Sequence, residues 1–139
     1  MTYYLSLGAN LGNCEQTIRE ALQQIEQQIG PIDRCSSFFY SEPWGFESEH
    51  AFSNICCRVE TTLPPIEVLR ATQGIERLLG RTHKSVNGQY SDRTIDIDLI
   101  RAFDETGKEI LVHSEDLTLP HPLWEERDFV KIPLAQIMP

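Results

Sequence analysis

The sequence predicts an α+β sandwich, an antiparallel sheet with helices packed on it. Two segments place apolar residues at helical spacing, and each is bracketed by short apolar runs that suit strands. Two of those runs alternate with a period of two residues, which fits a sheet with two different faces. At 139 residues and 40% hydrophobic content, the chain suffices for one compact domain and not two.

The elements follow in order. Tyr3 to Leu7 reads as an apolar strand, followed by the glycine-flanked turn GANLGN, Gly8 to Asn13. A helix comes next: Asn13 with Gln16 resembles a capping box, and Ile18, Leu22, Ile25 and Ile29 recur at helical spacing. Gly30-Pro31 stops it. Cys35 to Tyr40 is a second strand, and SEPWGFESEH, Ser41 to His50, has no period and reads as a loop. Phe52 to Thr61 alternates, with Ser53, Ile55, Cys57 and Val59 on one side and Phe52, Asn54, Cys56 and Arg58 on the other. Pro64-Pro65 opens a second helix with the stripe Val68, Ala71/Thr72, Ile75 and Leu78/Leu79, and Gly80 is its expected stop. A polar loop, Arg81 to Asp92, leads into a strand from Arg93 to Phe103. A turn at Asp104 to Lys108, the run Ile110 to Val112, LPHP at Leu119 to Pro122 and a short apolar tail complete the chain. The order β-α-β-β-α-β plus an extension fits the split βαβ, ferredoxin-like arrangement, with two helices on one face of the sheet. That arrangement hosts many activities and decides none.

Composition narrows the function. No run of about 18 apolar residues exists, so no membrane span is expected. The N-terminal MTYYLSLGANLGN has no basic stretch before an apolar segment, so a secretory leader is not expected and the setting predicted is cytoplasmic. Cys14, Cys35, Cys56 and Cys57 form no C-x-x-C and are expected to be reduced, largely structural thiols, with Cys56 and Cys57 on opposite strand faces. A net charge of −9 argues against a general nucleic-acid binder. The basic residues are nevertheless clustered: Arg77, Arg81, Lys84 and Arg93 with His83, and separately Arg127 and Lys131. In an acidic chain such a cluster suits a small polyanion such as a nucleotide.

The stretch SDRTIDIDLI is the most informative. Alternation puts Asp96 and Asp98 on one strand face, about 7 Å apart at Cα, with Ile95, Ile97 and Leu99 on the other. A lone D-x-D is commonly a solvated face. Here Arg93 lies just before it, a basic loop precedes it and the opposite face is wholly apolar. These features favour metal–phosphate chemistry, in which carboxylates and phosphates share hard cations. The glycine turn admits two readings, a simple tight turn or backbone N–H groups offered to an anion; it has neither the lysine of G-x-x-x-x-G-K-[ST] nor the G-x-G-x-x-G spacing.

YLSLGANLGN, SEPWG, Phe52-x-Asn54, DRTIDIDLI, LPHP and Arg127-x-Phe129 occur in this order along the chain. In that order they resemble the 6-hydroxymethyl-7,8-dihydropterin pyrophosphokinases of folate biosynthesis, over essentially the whole length. The resemblance implies pyrophosphoryl transfer from ATP to the hydroxymethyl group of a reduced pterin, with AMP released. It implies that Asp96 and Asp98 ligate two Mg²⁺ and, with Arg93 and Arg81, form the catalytic group. For ATP it implies Gln73, Glu76, Lys84 or His83, Arg93, Thr118, His121 and Arg127. For the pterin it implies Gly8, Ser41, Glu42, Trp44, Phe52, Asn54, Asp96 and Phe129, with the two phenylalanines as stacking walls and Asn54 as reader of the ring edge. The basic loop that holds Arg81 and His83 or Lys84 would close over ATP as a lid. ATP and the pterin are the partners implied, with no nucleic acid or membrane and no statement of oligomeric state.

The chain departs from that pattern in places. Ser91-Asp92 stands where relatives often have Gly-Pro, Tyr90 where tryptophan is frequent and Asp116 where arginine occurs. It ends at Pro139, earlier than many relatives, so a C-terminal element is expected to be missing. The alternatives are a non-catalytic relative that binds pterin or nucleotide, and a ferredoxin-like interaction module.

Overall fold

The computed structural model describes residues 1–10, 13–41, 52–80 and 95–139. Its elements are β1 (Thr2–Ala9), α1 (Cys14–Gln28), β2 (Ile32–Cys35), β3 (Phe39–Ser41), β4 (Phe52–Glu60), α2 (Pro65–Gly80), β5 (Asp96–Phe103), β6 (Val112–His113), β7 (Thr118–Leu119) and α3 (Asp128–Ile137). The main sheet runs β2-β4-β1-β5, with β3 paired to the same edge of β4 as β2. Every pairing is antiparallel. This is the ferredoxin-like order expected of a split βαβ chain.

The helices form where the apolar stripes predict. Asn13 Oδ1 accepts from the Gln16 N–H at 3.2 Å, capping α1. The Gln16 side chain turns instead to Glu20, so the reciprocal half of the capping box is not made. Ile18, Ala21 and Ile25 of α1 and Val68, Thr72 and Ile75 of α2 are buried. They pack on Tyr3, Leu5, Leu7, Ile55, Cys57, Val59, Ile97 and Leu99, the odd-numbered face of the central strands. Gly30, just beyond α1, passes so close to the Glu60 carbonyl that a Cβ there would fall 2.0 Å from its oxygen.

Three expectations need correction. The strand predicted from Cys35 to Tyr40 is two pieces, broken at residues 36–38. Ser36 Oγ takes the Cys56 N–H at 2.9 Å, and Gln136 Oε1 accepts from the Ser37 N–H at 2.9 Å. The Ser36 N–H still reaches the Cys56 carbonyl at 2.8 Å, and side chains supply the other bonds there. Gly8 and Ala9 belong to β1 rather than to a turn. The apolar tail is a helix, α3, containing Pro133. It covers the even-numbered face, where Tyr4, Cys56 and Ile100 pack with Val130, Leu134 and Ile137. The sheet is therefore covered on both faces. Adjacent Cys56 and Cys57 do enter opposite cores.

β5 lies at the sheet edge, where outward N–H and C=O groups need partners. The Ile100 carbonyl accepts from the His121 N–H and the Ala102 carbonyl from the Ile110 N–H, both at 2.8 Å. The Ile97 N–H donates to Glu76 Oε2 of α2 at 2.9 Å. Among the described residues, no helix is long and apolar enough to cross a membrane.

Candidate active site

The site begins in the sheet register. Asp96 pairs with Gly8, Gly8 with Asn54 and Asn54 with Phe39, one row across four strands. In the next row on the same face, Asp98 pairs with Ser6 and Ser6 with Cys56. Directly opposed residues share a face, so Asp96, Asp98 and Asn54 sit on the α3 side of the sheet. Two strand spacings put Asp96 and Asn54 about 10 Å apart at Cα. Helix α3 buries Tyr4 and Cys56 further along this face.

The predicted alternation of β5 holds: Ile95, Ile97 and Leu99 are buried in the helix-side core, Asp96 is half-buried and Asp98 exposed. Asn54 is 2% exposed, and its Nδ2 donates to the Phe39 carbonyl at 3.1 Å. A Cβ on Gly8 would fall 2.9 Å from Asn54 Oδ1 and 3.7 Å from the Phe52 ring. Glycine is required for this close approach rather than for a turn. Phe52 and Phe129 are both half-buried.

His121 and Arg127 reach the same end. The His121 backbone is tied to β5 through Ile100. Its Nδ1 accepts from the Leu123 N–H at 3.2 Å, so the neutral ring carries its proton on Nε2. Burial lowers the His121 pKa; Asp98 opposes that shift and Arg127 adds to it. Arg127 lies 5.8 Å over the Phe129 ring, and its buried Nε finds no acceptor among the described residues. A cation stacked on an aromatic wall with a donor left over suits a phosphate oxygen.

Gln73 is exposed on α2, and Thr118 is exposed on β7, three residues before His121. Glu76 is half-buried and engaged with the Ile97 N–H. Ser41 ends β3, opposite Phe52. Arg81, His83, Lys84, Arg93, Glu42 and Trp44 lie outside the described residues, as do Tyr90, Ser91 and Asp92. Ser6, 5% exposed and between Asp98 and Cys56, carries no signal of its own in the sequence. The alternation of β1 signals its face only once β1 is paired with β5.

The antiparallel α+β fold thus gathers a carboxylate pair, a buried carboxamide and two half-buried phenylalanines at one end of its sheet. The chain belongs to the 7,8-dihydro-6-hydroxymethylpterin-pyrophosphokinase family, whose pattern it matches over residues 4–139. It is 43% identical over 138 residues to the 2-amino-4-hydroxy-6-hydroxymethyldihydropteridine pyrophosphokinase of Porphyromonas gingivalis, covering 98% of this chain and 90% of that one. Against the enzyme of the same name from Bacillus subtilis, identity is 35% over 135 residues, or 96% of this chain and 76% of the other. The fold matches a crystal structure of HPPK-DHPS in complex with substrates at a TM-score of 0.72 and 16% identity. This chain is covered to 99% and spans 40% of that longer one. At such identity the likeness speaks for the fold alone.

Proposed function

We propose that this chain, as one domain over residues 1–139, transfers the pyrophosphoryl group of ATP to the hydroxymethyl group of 6-hydroxymethyl-7,8-dihydropterin. AMP is released, and the reaction is a Mg²⁺-dependent cytoplasmic step of folate biosynthesis. The observation that carries the reading is the row Asp96–Gly8–Asn54. It puts a carboxylate and a carboxamide on one face at a separation that fits a flat bicyclic ring between reader and reaction centre.

The residues suit the metal. Among the described residues no group of three His, Cys, Asp or Glu converges. Mg²⁺ is commonly held by one or two carboxylates and otherwise by water and substrate phosphates, so Asp96 and Asp98 fit that demand. When bound there, two such ions would neutralise the charge of ATP's phosphates.

The chain's own residues do the rest. Asn54, fixed by Phe39, presents its Oδ1 beside Gly8 to the pterin edge, and Phe52 and Phe129 stack on its faces. Arg127 and the Nε2–H of His121 hold phosphate oxygens in line with the incoming alcohol. Arg81, Lys84 and Arg93 add charge from the basic loop, Gln73 and Thr118 contact the nucleotide, and Gly8, Ser41, Glu42 and Trp44 border the pterin. The pterin oxygen bonds to the β-phosphorus as the bond from that phosphorus to the α–β bridging oxygen breaks. The hydroxyl proton leaves to Asp96 or to water.

ATP labelled in its β-phosphate, incubated with Mg²⁺ and the pterin alcohol, tests the reading. Label recovered on the pterin supports it; label recovered only as inorganic pyrophosphate contradicts it.

A further inference from the structure

Glu76 lies on α2, remote in sequence from the aspartates, yet its Oε2 accepts a hydrogen bond from the Ile97 N–H at 2.9 Å. Ile97 is the residue between Asp96 and Asp98. Because this N–H donates to a side chain of α2, it points away from β1, toward the open edge of the sheet. Ile97 is only 4% exposed, so its amide has little access to water. Further along this edge, backbone from the 110 and 121 regions supplies the partners. At the aspartate end a carboxylate from α2 does so.

We propose that Glu76 is a positioning residue for the carboxylate pair, acting through the Ile97 amide. The inference rests on the metal reading above. One residue of slip in β5 would turn both aspartates toward the core and Ile97 toward the site. An edge strand has a ladder on one side only to resist that slip. A charged acceptor on the Ile97 N–H pins the other side at the midpoint of the pair. What the anchor requires of Glu76 is an acceptor oxygen, which glutamine also has and alanine lacks.

Two readouts test this on the intact chain. One is amide exchange of Ile97 by NMR. The other is Mn²⁺ binding in the presence of a non-hydrolysable ATP analogue, followed by electron paramagnetic resonance. Glu76→Ala is expected to speed Ile97 exchange and weaken Mn²⁺ binding by roughly ten-fold, the scale of one charge-assisted hydrogen bond. Glu76→Gln is expected to restore both to near the wild-type values. Unchanged Ile97 exchange in Glu76→Ala overturns the anchor. So does an equal loss of Mn²⁺ binding in both variants with Ile97 still protected, which assigns the effect to charge. Wild-type protein that binds no Mn²⁺ overturns the metal reading on which the proposal rests. That failure is told apart because Ile97 exchange then still responds to Glu76→Ala.

Discussion

Asn54 Oδ1 occupies the space that a side chain on Gly8 would need: the point where a Gly8 Cβ would sit is 2.9 Å from it. The carboxamide of β4 is thus seated over a bare stretch of β1. Its Nδ2 is held by the Phe39 carbonyl, so it has little freedom to step aside. Gly8→Ala is expected to cost about 1–3 kcal/mol of stability through overpacking. It should weaken pterin binding by about ten-fold, the scale of one displaced hydrogen bond. Calorimetric titration with the pterin, beside thermal unfolding, checks both.

Asp98 is exposed on its strand, so its removal should hardly disturb the fold. Asp98→Ala is expected to keep stability within about 0.5 kcal/mol of wild type. Turnover should fall by at least about a hundred-fold, and pterin binding should persist in part. Chelation of divalent metal should reproduce the loss, and added Mg²⁺ should reverse it in the wild type only. Steady-state rates across a Mg²⁺ series measure this.

Arg127 combines a face laid on Phe129 with a buried Nε that lacks an acceptor among the described residues. Lysine keeps the charge and loses the planar fork. Arg127→Lys is therefore expected to raise the KM for ATP by about ten-fold, with a smaller change in the KM for pterin. Equal KM values for ATP in the two proteins would remove Arg127 from the phosphate site.

Away from the site, Arg101 joins β5 to the segment after it. Its guanidinium donates to both oxygens of Glu109 at 2.9 Å and lies 5.0 Å over Phe103 and 5.5 Å over Trp124. The Arg101 hydrogen bonds hold Glu109 below the ordinary glutamate pKa. A carboxylate lowered in the fold stabilises it above the unfolded-state value, and that contribution is lost as the pH falls through the folded value. Wild type should therefore lose stability below about pH 4.5 more steeply than Glu109→Gln. Denaturant unfolding from pH 7 to pH 3 measures the difference.

Local signals carried much of this fold. The stripe Val68, Thr72, Ile75 faces the core as its spacing predicts, and Asn13 caps α1. The alternation of β5 set Asp96 and Asp98 apart from Ile97 and Leu99 correctly. Where partners are distant in sequence, the signals failed. Gly8 resembles a turn glycine until Asn54, far along the chain, is laid beside it. Ser36 resembles a strand residue until its hydroxyl takes the Cys56 N–H. α3 hides behind Pro133, and its burying face exists only because the sheet offers Tyr4, Cys56 and Ile100 to it. Glu76 could be assigned to the site by resemblance, but its bond to Ile97 depends on how α2 docks on β5.

The most direct test of the central claim is AMP release from ATP and Mg²⁺, measured with and without 6-hydroxymethyl-7,8-dihydropterin. AMP is expected in step with pterin consumed, none without the pterin, and at least about a hundred-fold less from Asp98→Ala. AMP formed at the same rate without the pterin, or at the wild-type rate by Asp98→Ala, would contradict the assignment.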